Sequence, residues 1–164
     1  MATSNVSALD QDNWQLISTT SFNGSSQYTL QTSMAGAYKL LMVVWKAASK
    51  DSSARPQVQF NTDTTAGNYS SNSWRTEGGE QVASDNGLVI AGSQSYGTND
   101  GGYAIFDNCN STTLPVIITA AGGKGSSGAS GIWHGYAAVT SVNFRSAGGE
   151  AFTTGTVKLY GIAG

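Results

Sequence analysis

The sequence predicts an all-β protein, and three observations lead to that class. Short segments rich in β-branched and aromatic residues recur along the chain, separated by clusters of Gly, Ser, Asn and Asp. No segment keeps an apolar i, i+3, i+4, i+7 pattern over three helical turns. No fixed period repeats, which disfavours a propeller or a solenoid. About ten short strands with polar turns are typical of a β-sandwich, a jelly roll or a barrel.

Each expected strand combines β-branched or aromatic residues with turn residues at both ends. Nothing between the strands marks a domain boundary, so residues 14–164 predict one domain. In chain order the expected strands are 14–20, 27–32, 37–47, 57–61, 88–92, 103–109, 114–121, 132–139, 141–146 and 156–162.

The first 13 residues predict a short N-terminal arm ahead of that domain. They are polar, and "SALDQDNW" could form one helical turn with Ser7 as the N-cap. They contain neither the basic nor the apolar segment of a signal peptide, so we expect synthesis in a cytoplasm. The longest apolar run, residues 40–45, is too short to cross a bilayer, so we expect no membrane association.

The first four strands follow from alternation and turn chemistry. "NGSS" (23–26) supplies an Asn-Gly turn after the first strand, and Tyr28 and Leu30 point inward from the second. "AYKLLMVVWKA" is the longest apolar stretch and predicts a central strand that is covered on both faces at 41–44. Pro56 precedes the fourth strand, where its missing N–H is tolerated.

The later strands are separated by richer loops. "LPVIITAA" (114–121) predicts a second buried strand, and "GGKGSSGASG" (122–131) predicts a flexible hairpin loop or a mobile surface loop. Cys109 alternates with Ile105 and Asp107, which predicts a strand position with a buried, inert thiol. This single cysteine excludes an intrachain disulfide and a cysteine-based zinc site.

The charge pattern disfavours nucleic acid as a partner. Charged residues make up only 11% of the chain and the net charge is −2. The eight Lys and Arg residues are scattered, whereas nucleic-acid binding needs a basic footprint. Hydroxyls and amides keep the surface hydrated instead, as in proteins that work outside cells or inside large assemblies.

Candidate catalytic chemistry is weak in this sequence. His134 is the only histidine, no Gly-x-Ser-x-Gly elbow is present, and no spacing singles out a carboxylate pair. "NTDTTAGN" (61–68) is rich in side-chain oxygens, but Ala66 stands where a calcium loop needs Gly and no Glu closes the loop. We therefore expect no catalytic residue, no metal and no cofactor. A small glycan-active enzyme is the least favoured alternative.

The aromatic residues indicate contact surfaces. Tyr69 and Trp74 lie in the polar run "GNYSSNSWRTEGG", where they could stack on a sugar ring while Arg75 binds its hydroxyls. They could equally cap the core or fill a subunit interface, and we favour these two roles over stacking on a sugar. The candidate contact residues for a partner or a glycan are Tyr69, Trp74, Arg75, Trp133, His134 and Tyr160.

Two stretches resemble a known group of phage proteins. "RPQVQFNTDTTAGNYSSNSW" (55–74) is similar to a stretch in phage structural proteins, where a strand with an apolar-x-Phe-Asn pair leads into an acidic turn and Asn-Tyr. "SVNFRSAGGEAFTTGTVKLYGI" (141–162) resembles the C-terminus of the same group. The group comprises head decoration (cement) proteins and the C-terminal domains of tail fibres and spikes from tailed phages. The resemblance spans residues 14–162.

The resemblance implies a jelly-roll-like antiparallel β-sandwich that is usually trimeric and has no catalytic residues. Because the chain starts at its own Met and has no fibrous stem, it looks more like a cement protein than a fibre tip. Three copies would then sit on the capsid surface and clamp the major capsid protein. The alternative is a receptor- or glycan-binding module of a tail or head fibre. In the last strand, Val157 and Leu159 would face the core and Tyr160 a rim or an interface.

Overall fold

The computed structural model describes residues 13–34, 36–49, 55–75, 79–83, 86–91, 100–122 and 127–164. Within these ranges the chain forms twelve β-strands and one short 3-10 turn, Ala66–Asn68, and no α-helix. The predicted all-β class is therefore confirmed. No helix in the described ranges is long and apolar enough to span a membrane. Residues 1–12 of the predicted arm lie outside the described residues.

The strands follow one another with short connections. In chain order they are β1 Gln15–Ser21, β2 Gln27–Gln31, β3 Tyr38–Ser49, β4 Pro56–Phe60, β5 Tyr69–Arg75, β6 Gly79–Ala83, β7 Leu88–Val89, β8 Asp100–Asp107, β9 Val116–Gly122, β10 Ser127–Trp133, β11 Val142–Ser146 and β12 Phe152–Ala163.

Two antiparallel sheets are built from these strands. The larger sheet has the order β1-β12-β3-β8-β9-β10-β5-β6, and the smaller sheet has the order β2-β11-β4-β7. The longest ladder joins β12 to β3, from Phe152 opposite Ser49 to Ala163 opposite Tyr38. The last strand is therefore interior to the larger sheet, with β1 on its other side.

Eight of the strands form a jelly roll. Four of them, β1, β3, β8 and β12, lie in the larger sheet, and the other four, β2, β4, β7 and β11, form the smaller sheet. Renumbered 1 to 8 in chain order, they give the orders 1-8-3-6 and 2-7-4-5, which is the jelly-roll arrangement. The predicted jelly-roll-like sandwich is confirmed. The other four strands, β9-β10-β5-β6, extend the larger sheet beyond β8 as two inserted hairpins.

Aromatic side chains fill the space between the sheets. Phe22 lies 4.9 Å from Tyr28 and 5.1 Å from Phe152, measured between ring centroids. Phe60 forms a second group, with ring centroids 5.1 Å from Phe106 and 5.4 Å from Trp133. Such offset and edge-on contacts add to the free energy that burial of the rings provides.

Small and polar residues hide three strands, β5, β6 and β10, from sequence analysis. Residues 122–131 were expected to form a loop, but β10 begins at Ser127, and only residues 123–126 of that stretch lie outside the described residues. The polar run 69–75 forms β5, which pairs with β10 along six residues of each strand. Gly131 permits this pairing because a Cβ there would lie 2.6 Å from the Ser70 carbonyl oxygen. Strands β5 and β10 pack through backbone proximity rather than through large apolar side chains.

Two predicted strands end earlier than expected. The strand expected at 132–139 ends at Trp133, and Tyr136 has a φ of 46°, which a strand cannot contain. The strand expected to contain Cys109 ends at Asp107, because Asn108 adopts a φ of 63° and turns the chain. The Cys109 thiol is nevertheless buried as predicted, and burial raises its pKa.

Strand β3 is covered on only one face. Leu41 and Val43 are fully buried between the sheets, and Trp45 lies in the core. Met42 and Val44, which point to the opposite side of the larger sheet, are only half-buried. The prediction that both faces of residues 41–44 are covered is therefore wrong for the part of the single chain that the structure describes, in which no element packs over the outer side of these residues.

Candidate contact surfaces

Two of the six candidate contact residues lie in the core. Tyr69 and Trp133 are each 2% exposed, and their rings stack with centroids 6.4 Å apart. A buried ring cannot stack on a sugar or contact a partner. The contact role is therefore corrected for these two residues. Both pack in the core, which was the alternative that the sequence left open for Tyr69 but not for Trp133.

The turn between β4 and β5 holds both rings inside. The Tyr69 hydroxyl donates to the Asp63 carbonyl oxygen (3.0 Å) and accepts from the Phe60 N–H (3.2 Å). Trp133 donates its indole Nε1–H to Asp63 Oδ2 at 2.8 Å. A buried Tyr or Trp needs a partner for its polar atom, and this turn provides both partners. Burial also raises the pKa of Tyr69, so the phenol stays protonated.

The Asp63 carboxylate is satisfied by donors of the protein itself. Besides Trp133, Asn68 Nδ2 donates to Oδ2 (2.8 Å) and the Thr65 N–H donates to Oδ1 (2.9 Å). Partial burial would raise the pKa of this carboxyl, but the hydrogen bonds outweigh it and hold the pKa below its usual value. Within the described ranges, no three His, Cys, Asp or Glu residues are grouped so that they could hold a metal ion.

Asn61 ties the same turn to the segment after β10. Its Oδ1 accepts from the N–H groups of Thr140 (2.7 Å) and Ser141 (3.2 Å), and its Nδ2 donates to the Ala138 carbonyl oxygen (2.9 Å). Asn61 has a φ of 52°, a left-handed conformation that Asn tolerates better than most residues. The oxygen-rich stretch 61–68 thus joins distant parts of the chain through side-chain hydrogen bonds.

Trp74 is the one candidate aromatic of the polar run that stays at the surface. It is 48% exposed on the outer side of β5, opposite Gly128 on β10. A Cβ at position 128 would lie 2.5 Å from the indole, so the ring rests on the glycine backbone. The neighbouring Arg75 belongs to β5, but its side chain lies outside the described part of the structure.

A shallow groove of about 300 Å³ lies on the outer side of β9, β10 and β5 and ends at Asn72, two residues before Trp74 on the same strand. Hydroxyl and amide groups line one part of it and isoleucine side chains line the other. The lining side chains include Ser70, Asn72, Ser130, Ile117 and Ile132.

His134 lies beside a second exposed aromatic residue that the sequence analysis did not single out. Tyr136 is 53% exposed, and its hydroxyl lies 3.5 Å from His134 Nδ1. The His134 backbone N–H donates to the Asn68 carbonyl oxygen at 2.7 Å, which attaches the end of β10 to the turn between β4 and β5. Gly135 fits under the Trp133 ring, where a Cβ would lie 2.0 Å from the indole.

Tyr160 belongs to a row of large side chains across the outer side of the larger sheet. It lies on β12 between Leu16 of β1 and Met42 of β3, and Met42 is opposite Ile105 of β8. Leu16 is 54% exposed, and the other three are half-buried. Four consecutive strands therefore present an unbroken apolar row to the outside.

Two flanking rows widen this surface. On one side lie Lys158, Val44 and Tyr103, which is 45% exposed. On the other side Ile162, which is itself buried, is opposite Leu40, and Asp107 is opposite Ile117, which is 47% exposed. The three rows, on the outer side of β1, β12, β3, β8 and β9, are called the apolar face below. Sequence analysis missed the face as a unit, although the uninterrupted apolar run of β3 was its signal.

Comparison of the chain with protein-family models, with curated proteins and with solved structures finds no significant match.

Proposed function

We propose that this chain is a structural protein of a tailed-phage virion, a capsid decoration protein that binds the major capsid protein as a homotrimer and stabilises the shell. The observation that carries the proposal is the jelly-roll connectivity of the two sheets, an architecture used by viral capsid and lectin domains. The resemblance of residues 55–74 and 141–162 to phage structural proteins points to the same class.

Such a protein works by binding and not by chemistry. A decoration protein that binds only the intact shell lowers the free energy of that state, by an amount that grows with the logarithm of its concentration over its dissociation constant. A trimer contacts several capsid subunits at once, so its second and third contacts form at a high effective concentration. The site of action in this proposal is the outer surface of the capsid, after synthesis in the host cytoplasm.

The direct test adds the purified protein to capsids that lack it. We expect saturable binding at a copy number comparable to that of the major capsid protein, together with a higher temperature of capsid rupture. The matched control is an unrelated jelly-roll protein at the same concentration. Capsids that neither bind the protein nor gain heat stability would contradict the proposal.

A receptor- or glycan-binding module is the second candidate, and one observation favours it. Trp74 offers a half-exposed indole on the same strand as one end of the groove lined by Ser70, Asn72 and Ser130. Aromatic faces and hydroxyl or amide groups are suited to the apolar faces and hydroxyls of a sugar ring. A glycan screen with the wild type and Trp74→Ala tests this function, which requires binding by the wild type and its loss in the variant.

A further inference from the structure

We propose that the apolar face is the surface through which copies of this chain associate with one another. In the assembly, the half of the face that carries Lys158, on β1 and β12, packs against the half that carries Asp107, on β8 and β9, of the next copy. The contact itself is argued from the geometry of the single chain. The closure into a ring of three rests on the proposed function.

Strand β3 is apolar on both faces, but only its inner face is fully buried in the single chain. A strand that is apolar on both faces belongs in a sheet that is covered on both sides. The inner residues Leu41 and Val43 are fully buried, whereas Met42 and Val44 on the outer side remain half-buried. A contiguous exposed apolar surface of this kind marks an interaction site in a soluble protein.

The size of the face also favours association between copies. Five strands spaced about 4.8 Å apart, each with three outward positions about 6.7 Å apart, give roughly 500 Å² in projection. The relief of the side chains raises the accessible area above that value, towards the roughly 800 Å² that each partner buries in a stable interface. In a ring each copy divides the face between two neighbours, so this area is the total that one copy buries over its two contacts, and each contact is small enough to dissociate on dilution.

The apolar face carries one positive and one negative side chain on opposite flanks of its middle row. Lys158 is opposite Val44 on one flank of the middle row, and Asp107 is opposite Ile117 on the other flank. Their Cα atoms are separated by two strands and four residues, roughly 16 Å along the diagonal of the face. Opposite charges at opposite corners of one apolar surface make it complementary to a rotated copy of itself.

The same charges favour a second copy over a partner with one sign of charge. An acidic or basic partner would meet one matching and one repelling corner, and a repelling contact costs free energy that the apolar rows must offset. In a ring, each copy offers its Lys158 half to one neighbour and its Asp107 half to the other. This is a heterologous contact that closes by rotation.

The experiment is the native mass of the isolated protein, measured by light scattering from about 1 μM to 100 μM. We expect a trimer that dissociates on dilution. Leu16→Glu and Ile117→Glu place a carboxylate at half-exposed positions of the face, so the single chain stays folded, and each should raise the dissociation constant at least about tenfold. The matched control is Thr29→Glu on the exposed side of β2, which should leave the mass unchanged. Urea unfolding midpoints verify that each variant is folded.

Charge reversal identifies the neighbouring halves. Lys158→Glu and Asp107→Lys should each weaken association about tenfold, and the double variant should recover most of the loss. A wild type that stays monomeric over the whole range, or face variants that associate as the wild type does, would overturn the proposal. A monomer that still binds capsids would refute this interface and leave the decoration function standing. A trimer that binds no capsid would support this interface and contradict the decoration function.

Discussion

Asp63 joins three parts of the structure through one carboxylate. Its oxygens accept hydrogen bonds from Trp133, Asn68 and the Thr65 N–H, and its backbone carbonyl accepts the Tyr69 hydroxyl. Two of the donors are large aromatic residues, and the Trp133 indole N–H has the carboxylate as its partner, whereas the Tyr69 hydroxyl also accepts from the Phe60 N–H. The residue therefore links the surface turn 61–68 to the aromatic core, which makes its ionisation a matter of stability.

Replacement of Asp63 by Asn should reduce the pH dependence of stability. The folded pKa lies below the usual value of 3.8, so the charged carboxylate stabilises the fold fully above the unfolded pKa, and this contribution is lost as the pH falls through the folded pKa. At pH 7 we expect Asp63→Asn to lower the free energy of unfolding by roughly 1–2 kcal/mol. Urea unfolding at pH 7 and at about pH 3 should show that the difference between the two proteins shrinks in acid. An equal difference at both pH values would contradict this role.

Sequence analysis identified this turn but not its role. The oxygen-rich pattern of 61–68 was visible, and its failure to match a calcium loop was visible as well. The donors that use the oxygens lie far away in the chain, because Trp133 is 70 residues from Asp63 and Thr140 is 79 residues from Asn61. Local patterns report which groups can bond, whereas the topology decides which groups meet.

The last strand, β12, organises the larger sheet. It lies between β1 and β3, and its inward residues Val157 and Leu159 are fully buried. The outward residues Thr156 and Tyr160 of the same strand are only half-buried. The alternation that the sequence predicted for residues 156–161 is therefore confirmed, whereas Ile162 and Ala163, which follow it, are both buried.

Substitutions along β12 should follow this alternation. Leu159→Ala removes a buried side chain from the core, which should lower the free energy of unfolding by about 2–5 kcal/mol. Thr156→Ala on the outer side should change it by less than about 1 kcal/mol. Both values come from urea unfolding at one fixed protein concentration, because association of the chains would add to the apparent stability. Equal losses for the two variants would mean that the strand is buried on both sides in solution.

The elements that sequence analysis missed share a physical cause. Strands β5 and β10 bury Ser71, Ser73 and Ala129 where other strands bury large apolar residues. Their glycines allow close contact, as at Gly131 against the Ser70 carbonyl oxygen and Gly128 under Trp74. Strand predictions depend on β-branched and aromatic residues, so strands built from Ser, Gly and Asn resemble loops. The same cause concealed the groove that β5 and β10 form with β9.

At the scale of the whole molecule, the jelly roll joins the first strand to the last. Strand β1 pairs only with β12 among the described strands, from Gln15 opposite Gly161 to Ser21 opposite Thr156. The edge of the larger sheet therefore forms only when both ends of the chain are in place. Periodicity predicts strands but not their partners, and for this reason the sequence alone left sandwich, jelly roll and barrel open. The resemblance to phage proteins led to the jelly roll among them.

Association through the apolar face should have the thermodynamics of apolar burial. The rows contain ten apolar or aromatic residues (Ala121 among them), two threonines (Thr19 and Thr119) and one residue of each charge, so ion pairing is a minor part of the contact. Dilution calorimetry at several temperatures should give a negative heat-capacity change on association. The dissociation constant should change less than about threefold between roughly 0.05 M and 0.5 M NaCl, and sodium sulfate should strengthen association. A heat-capacity change near zero with steep weakening by NaCl would mean that charged surfaces, and not the apolar face, hold the copies together.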